Sequence, residues 1–117
     1  MLAAARARDF ADEWIAAWNS HDLDRILAHW VDACVFTSPI AARLVGTGTV
    51  RGKEALRAYW QRGLEANPGL HFTMTTLFVG HDSVVIGYTN HRGQACAEML
   101  RLDADGHAVE GVAHYAS

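Results

Sequence analysis

The sequence predicts an α+β fold in which three N-terminal helices pack on a strongly curved antiparallel sheet. Apolar residues recur at three- and four-residue steps through much of residues 3–64, and they alternate at every second residue from residue 70 onward. Short, turn-prone separators at 80–82, 91–93 and 103–106 divide the alternating part. Successive strands should therefore pair as antiparallel hairpins, with the helices covering one face. Such a sheet, closed by helices, forms a cone whose apolar mouth suits a small ligand.

The composition predicts one domain, residues 1–117, and excludes several partners. Half of the residues are hydrophobic, which is enough for a core without disulfides. A net charge of -3 without a basic cluster argues against nucleic acid and against an anionic membrane. Cys34 and Cys96 lie in apolar, strand-like runs, so we expect reduced core thiols and a cytoplasmic protein.

The first part of the chain predicts two helices joined by a tight connection. An amphipathic helix is expected from Ala3 to Trp18, and Asp22 can cap the second one. The apolar faces consist of Ala7, Phe10, Ala11, Trp14 and Trp18 in the first helix and of Leu23, Ile26, Leu27 and Trp30 in the second. Core packing is the ordinary role of tryptophans in such positions.

A brief strand from Cys34 to Ser38 is expected next. Pro39 restricts the residue before it to an extended conformation, which fixes the direction of the Ser38 side chain at the floor of the predicted pocket. The glycine-containing segment from Ile40 to Val50 is expected to be a loose excursion over the pocket. The third helix is predicted from Lys53 to Leu64.

The alternation within the third long strand singles out one acid. The strands are predicted over Leu70–Val79, Ser83–Asn90, Gln94–Leu102 and His107–Tyr115. Glu98 shares a face with Leu100 and Leu102, so it should point inward with them. A buried carboxyl must be paired, hydrogen-bonded or kept protonated by a raised pKa, and the last state makes it a donor or general acid. The alternative is a wetter sheet face, or a structural hydrogen bond that a nearby indole N–H donates to Glu98.

Three stretches of the chain, Trp14–Asp24, Trp30–Pro39 and Arg51–Trp60, resemble the nuclear transport factor 2-like superfamily. Within it they resemble the SnoaL-like polyketide cyclase and ketosteroid isomerase branch. The resemblance implies a cystatin-like cone of sheet and helices with a deep apolar cavity. It also implies a homodimer that forms through the outer face of the sheet.

The resemblance implies three catalytic candidates, Glu98, Trp14 and Ser38. Glu98 matches the position of a protonated aspartate in ketosteroid isomerases, and the indole of Trp14 stands where a tyrosine donates to the oxyanion. Ser38 stands where those enzymes have an aspartate base, so the usual base is missing and Ser38 can only position a ligand. Two of three polar positions could still bind a carbonyl oxygen.

The predicted pocket lining is apolar and aromatic. It comprises Phe36, Tyr59, Trp60, Cys96, Leu100 and Tyr115. The seven histidines are scattered, with His71 and His114 expected at the dimer interface, and none has the spacing of a metal motif. We therefore expect no metal and no cofactor.

Two functions of different classes remain open from the sequence. One is a small isomerase, cyclase or dehydratase that acts on an apolar carbonyl compound. The other is a non-catalytic module that binds a small apolar ligand or serves in dimeric association, with Glu98 as a structural acid. Substitution of Glu98 separates the two, because only a catalytic acid affects turnover.

Overall fold

The computed structural model describes residues 2–117, which form four helices and one six-stranded sheet. The helices are α1 (Ala4–Ser20), α2 (Leu23–Leu27), α3 (Pro39–Val45) and α4 (Lys53–Ala66). The strands are β1 (Trp30–Thr37), β2 (Thr49–Arg51), β3 (Thr73–Val79), β4 (Ser83–Thr89), β5 (Ala95–Leu102) and β6 (Ala108–Tyr115). The predicted α+β class is confirmed.

The sheet has the strand order β2-β1-β6-β5-β4-β3 and curves without closing. Strands β3 to β6 pair antiparallel with their neighbours in the chain, as the short separators predict. The pair of β1 with β6 is parallel, which is an exception to the predicted antiparallel sheet. Parallel neighbours require a long connection, and here the chain from α3 to β5 supplies it.

The prediction of a loose excursion from Ile40 to Val50 is wrong. Pro39 is the first residue of α3, and the Ser38 hydroxyl caps this helix by accepting a hydrogen bond from the Ile40 amide at 3.1 Å. Gly46, with φ of 81°, ends the helix, and Thr49–Arg51 then pairs with β1. The predicted extended conformation of Ser38 is confirmed, since its φ is -156° and its ψ 139°.

Trp30 begins β1 instead of completing the second helix. The predicted cap of α2 is confirmed, because the Asp22 carboxylate accepts a hydrogen bond from the Arg25 amide at 3.2 Å. However, α2 ends at Leu27, one turn earlier than the apolar spacing suggested. The Trp30 ring then lies over Gly111 of β6, where a Cβ atom would be 2.6 Å from the indole. The strand residue beneath this ring must therefore be glycine.

The core lies between the helices and the inner face of the sheet. It includes Ala7, Phe10, Ala11, Trp14 and Trp18 from α1, Leu56, Tyr59 and Trp60 from α4, and Val84, Ile86, Tyr88, Cys96 and Leu100 from the sheet. Among the described residues, Ser38 and Glu98 are the buried polar ones, at 2% and 4% exposure. No helix within residues 2–117 has the length and apolar character needed to cross a membrane.

Candidate functional site

The helices and the inner sheet face border two adjoining hollows, an inner chamber and an outer chamber that opens to solvent beside the exposed Arg43 and Arg92. The inner chamber, of about 130 Å³, is lined by Trp18, Phe36, Ile40, Leu44, Tyr59, Trp60, Gly63, Ala66, Asn67, Leu70, Phe72, Tyr88, Glu98 and Tyr115. The outer chamber, of about 420 Å³, shares several of these walls and adds Pro39, Arg43, Asn90, His91, Arg92 and Gln94. The inner chamber approaches the size of a dry cavity that holds one benzene ring, about 150 Å³.

Half of the residues that line the inner chamber are aromatic. Trp60 packs edge-to-face against Trp18 and Phe36, with ring centroids 5.1 and 5.4 Å apart. Phe72 and Tyr88 form another part of this wall, where their ring centroids are 4.4 Å apart. These distances are typical of favourable aromatic pairs, so the rings support one another and keep the wall ordered.

Asn19 fixes one part of this wall. Its side-chain amide donates to the Phe72 carbonyl at 2.9 Å, and its side-chain oxygen accepts from the Phe72 amide at 2.7 Å. This pair of hydrogen bonds attaches the segment before β3 to the end of α1. Neither Asn19 nor Phe72 was predicted as a site residue, and no short-range pattern in the sequence links two positions so far apart.

Glu98 is the acid of the inner chamber. It lies in β5 between Ile86 of β4 and Ala113 of β6, and it points inward as the alternation predicts. Of the described lysines, arginines and histidines, none forms an ion pair with it. Burial raises the pKa of Glu98 to about 8, while the hydroxyl of Tyr88, a donor beside the carboxyl, acts in the opposite direction. Glu98 is therefore mostly protonated near neutral pH and can donate a hydrogen bond.

Three hydroxyls accompany this carboxyl. Burial raises the pKa of Tyr59 and of Tyr115, so both phenols keep their protons near neutral pH. The Ser38 hydroxyl interacts with both phenols and lowers their pKa slightly against this trend. Because Ser38 also caps α3, it connects the helix terminus to the polar end of the cavity.

Five of the nine predicted site residues meet on the inner wall, and four do not. Those on the wall are Phe36, Tyr59, Trp60, Glu98 and Tyr115. Ser38, Cys96 and Leu100 are buried but do not line the cavity. Trp14 lies behind the wall, where its ring contacts Phe72 at 5.7 Å and Tyr88 at 5.4 Å, and its indole N–H has no hydrogen-bond partner. The cavity therefore gives the predicted second donor no direct contact with a ligand.

The sequence profile of the SnoaL-like domain matches residues 11–116. The chain belongs to the SnoaL-like domain family. It is similar to a SnoaL-like protein of unknown function from Burkholderia thailandensis, with 40% identity, 100% of both chains covered and a TM-score of 0.95.

More distant structures share the fold. A protein of unknown function with a cystatin-like fold from Methylobium petroleophilum is 24% identical over 99% of this chain and 79% of its own, with a TM-score of 0.80. TerC, co-crystallised with polyporic acid, is 16% identical over 95% of this chain and 92% of its own, with a TM-score of 0.79. No curated protein sequence matches the chain.

The inner chamber of this SnoaL-like domain has no side chain that serves as a ready base. His21 is engaged at 2.8 Å by the Leu70 carbonyl, and His29 lies 3.2 Å from the Glu13 carboxylate. Asp32 is exposed on β1, outside the lining. Within residues 2–117, no three histidine, cysteine or acidic side chains are grouped as a metal ion requires. Glu98 is the acidic side chain among the residues that line the inner chamber.

Some wall residues of the SnoaL-like cavity escaped the sequence analysis although a signal existed. Tyr88 follows Val84 and Ile86 at alternate positions of β4, which places it on the inner face beside Cys96. Ile40 and Leu44 lie on α3, and the Ser38-Pro39 pair is a typical helix start that indicates this element. Recognition of that helix would have placed both apolar residues over the cavity.

Proposed function

We propose that this SnoaL-like domain binds a small apolar carbonyl compound in the inner chamber and acts on it, with Glu98 as the acid. One observation carries the proposal: a carboxyl that is 4% exposed and has no cation beside it lies among aromatic side chains. In such a site a hydrogen bond to a developing negative charge is stronger than in water. The phenols of Tyr59 and Tyr115 are the supporting donors.

Dehydration is the reaction class that this arrangement favours among isomerisation, cyclisation and dehydration. Glu98 can give its proton to the hydroxyl of a β-hydroxy ketone, so that the carbon–oxygen bond breaks and its electron pair leaves with water. The resulting carboxylate accepts the proton from the neighbouring carbon, and the electrons of that C–H bond form the carbon–carbon double bond of the enone, which returns Glu98 to its initial state. One residue supplies both steps, which fits a chamber without a separate base.

A non-catalytic binding module is the second candidate. It is favoured by Ser38, which stands where the related isomerases carry a base and whose hydroxyl caps α3. In this case Glu98 only donates a hydrogen bond to a bound ligand.

The proposal includes a cytoplasmic homodimer that forms through the outer sheet face. The strand register places Phe78, Val85, Met99 and Val112 in one row across this face. Phe78 is 62% exposed, and an apolar row of this kind is typical of a contact surface. Two free, buried cysteines suit a reducing compartment.

The test uses the aldol adduct of benzaldehyde and acetone, which loses water to give benzalacetone. We expect turnover by the natural protein, followed by absorbance, and a loss of about 100-fold or more in Glu98→Gln. Binding of acetophenone, followed by tryptophan fluorescence, should change little because the glutamine amide still donates. Glu110→Gln, on the opposite face of the sheet, is the matched control.

Binding without turnover in the natural protein would favour the module, and failure to bind acetophenone would contradict both candidates.

A further inference from the structure

We propose that the ligand carries an anionic group, a carboxylate or its equivalent, which Arg43 and Arg92 hold in the outer chamber. This inference rests on the proposed function, in which the inner chamber holds the apolar part of the same ligand. It adds a class of substrate, an aromatic or apolar carbonyl compound with an acid at its far end.

The charged side chains that line the outer chamber are all positive. Arg43 of α3 and Arg92 of the β4–β5 turn line it, and none of the lining side chains is acidic. The whole chain, by contrast, has a net charge of -3. A chamber lined by cations in an acidic protein attracts anions and disfavours cations.

The two arginines are not neutralised by protein carboxylates. Among the arginines of residues 2–117, Arg25, Arg57 and Arg101 form ion pairs, each with an acid at 2.8–3.4 Å. Neither Arg43 nor Arg92 takes part in one. Both guanidinium groups therefore keep their capacity for a bidentate interaction with a ligand carboxylate.

Arg92 is held in position by neutral partners. Its guanidinium donates to the Asn67 side-chain oxygen at 3.0 Å, and its backbone amide donates to the Asn90 side-chain oxygen at 3.0 Å. Gly93, with φ of 77°, completes the turn. These contacts orient the side chain toward the end of α4 and leave its charge uncompensated, which lowers the ordering cost of binding an anion.

Arg43 faces the chamber from α3, whose start is fixed by the Ser38 cap. Its charge contributes to lowering the pKa of Tyr59, a residue of the inner wall, against the larger effect of burial. In α3, Arg43 lies between Ile40 and Leu44, which line both chambers, so its charge lies beside the inner one.

The two chambers share walls, so one molecule can occupy both. Leu70, Phe72, Tyr88 and Tyr115 line both chambers, whereas Glu98 belongs to the inner chamber and the arginines to the outer one. A ligand that spans them has a hydrogen-bond acceptor at one end and an anion at the other. The polarity of the cavity thus fixes the orientation of the ligand as well as its class.

The experiment compares acetophenone, para-acetylhydrocinnamate and para-acetylhydrocinnamamide, where the last two differ in charge at one end. Dissociation constants are measured by calorimetry for the natural protein, for the double variant Arg43→Gln, Arg92→Gln and for the control Arg8→Gln. Arg8 is exposed on α1 and lines neither chamber. We expect the carboxylate to bind about fivefold more tightly than the amide, a preference that the double variant loses, that Arg8→Gln keeps and that added salt weakens.

The same data separate this inference from the proposed function. Equal affinities for carboxylate and amide, or a preference that survives in the double variant, would overturn the anion site even if acetophenone binds. Failure of acetophenone to bind, with an arginine-dependent preference for the carboxylate retained, would overturn the inner-chamber proposal and keep the anion site.

Discussion

Glu13 and Glu98 carry the same carboxyl group in opposite surroundings. Glu13 lies on α1 with a side chain that is 38% exposed, and Arg25 donates to it at 2.8 and 2.9 Å. These hydrogen bonds lower the pKa of Glu13 to about 2. Glu98 is 4% exposed and has no cation beside it, and burial raises its pKa to about 8.

The difference separates a structural acid from a chemical one. Water and Arg25 stabilise the charged form of Glu13, so it stays a carboxylate throughout the neutral range. The aromatic chamber destabilises the charged form of Glu98, so it keeps a proton that it can donate. Position relative to the aromatic wall, rather than residue type, decides which of the two acids keeps its proton.

The largest expected effect concerns the pH dependence of stability. The unfolded chain releases the Glu98 proton near pH 4.5 and the folded chain near pH 8, so the contribution of Glu98 to stability is highest below the first value and falls as pH rises toward the second. The fall is at most about 1.4 kcal/mol per pH unit, or about 4 kcal/mol between about pH 5 and about pH 8.

Urea unfolding of the natural protein and of Glu98→Gln measures this dependence. As pH rises from about 5 to about 8, the unfolding free energy of Glu98→Gln should increase relative to that of the natural protein. Glu110→Gln, an acid on the outer face, should keep the slope of the natural protein. If the unfolding free energies of the natural protein and of Glu98→Gln changed with pH in parallel, a protonated Glu98 would be contradicted.

A smaller effect is expected from Tyr88→Phe. The Tyr88 hydroxyl acts to lower the pKa of Glu98, so its removal should raise that pKa further. The pH at which the Glu98 carboxyl carbon titrates by NMR reports this shift. Tyr59→Phe is the matched control, and a fall of the Glu98 pKa in Tyr88→Phe would refute the role given to the hydroxyl.

The smallest effect is expected from Glu13→Gln. This substitution removes a surface pair with Arg25, and such pairs are screened by water and salt, so it should cost less than about 1 kcal/mol near neutral pH. The stabilising effect of a lowered pKa is fully present above the unfolded value of 4.5 and is lost as pH falls through the folded value of about 2. The cost of the substitution should therefore disappear over the same range. Chemical denaturation at two pH values measures it. If the full cost of Glu13→Gln persisted near pH 2, the contribution of Glu13 to stability would not be electrostatic.

The spacing of apolar residues and the turn-forming separators predicted much of the fold. The alternation from residue 70 onward gave the four long strands, and it correctly turned Glu98 inward. The same reasoning failed at Trp30, because a residue three or four positions after Ile26 and Leu27 fits a helical face and also the first position of a strand. Packing of the Trp30 ring on Gly111, which is distant in the chain, decides between them.

The site was predictable only in part, since contacts between distant segments build it. Glu98, Phe36, Tyr59, Trp60 and Tyr115 could be placed from element faces alone. The pair of hydrogen bonds between Asn19 and Phe72 joins segments 53 residues apart, and no short-range sequence pattern predicts it. The cationic outer chamber likewise depends on how α3 faces the β4–β5 turn, which no local pattern encodes.

The pKa of Glu98 is the measurement that tests the account most directly. Carbon-detected NMR of the natural protein follows the side-chain carboxyl across the pH range, with Glu13 as an internal reference. The account predicts a midpoint of about 8 for Glu98 and of about 2 for Glu13. A Glu98 midpoint at or below the ordinary value of 4.5 would mean a solvated or paired carboxylate, and the acid role assigned to this residue would be wrong.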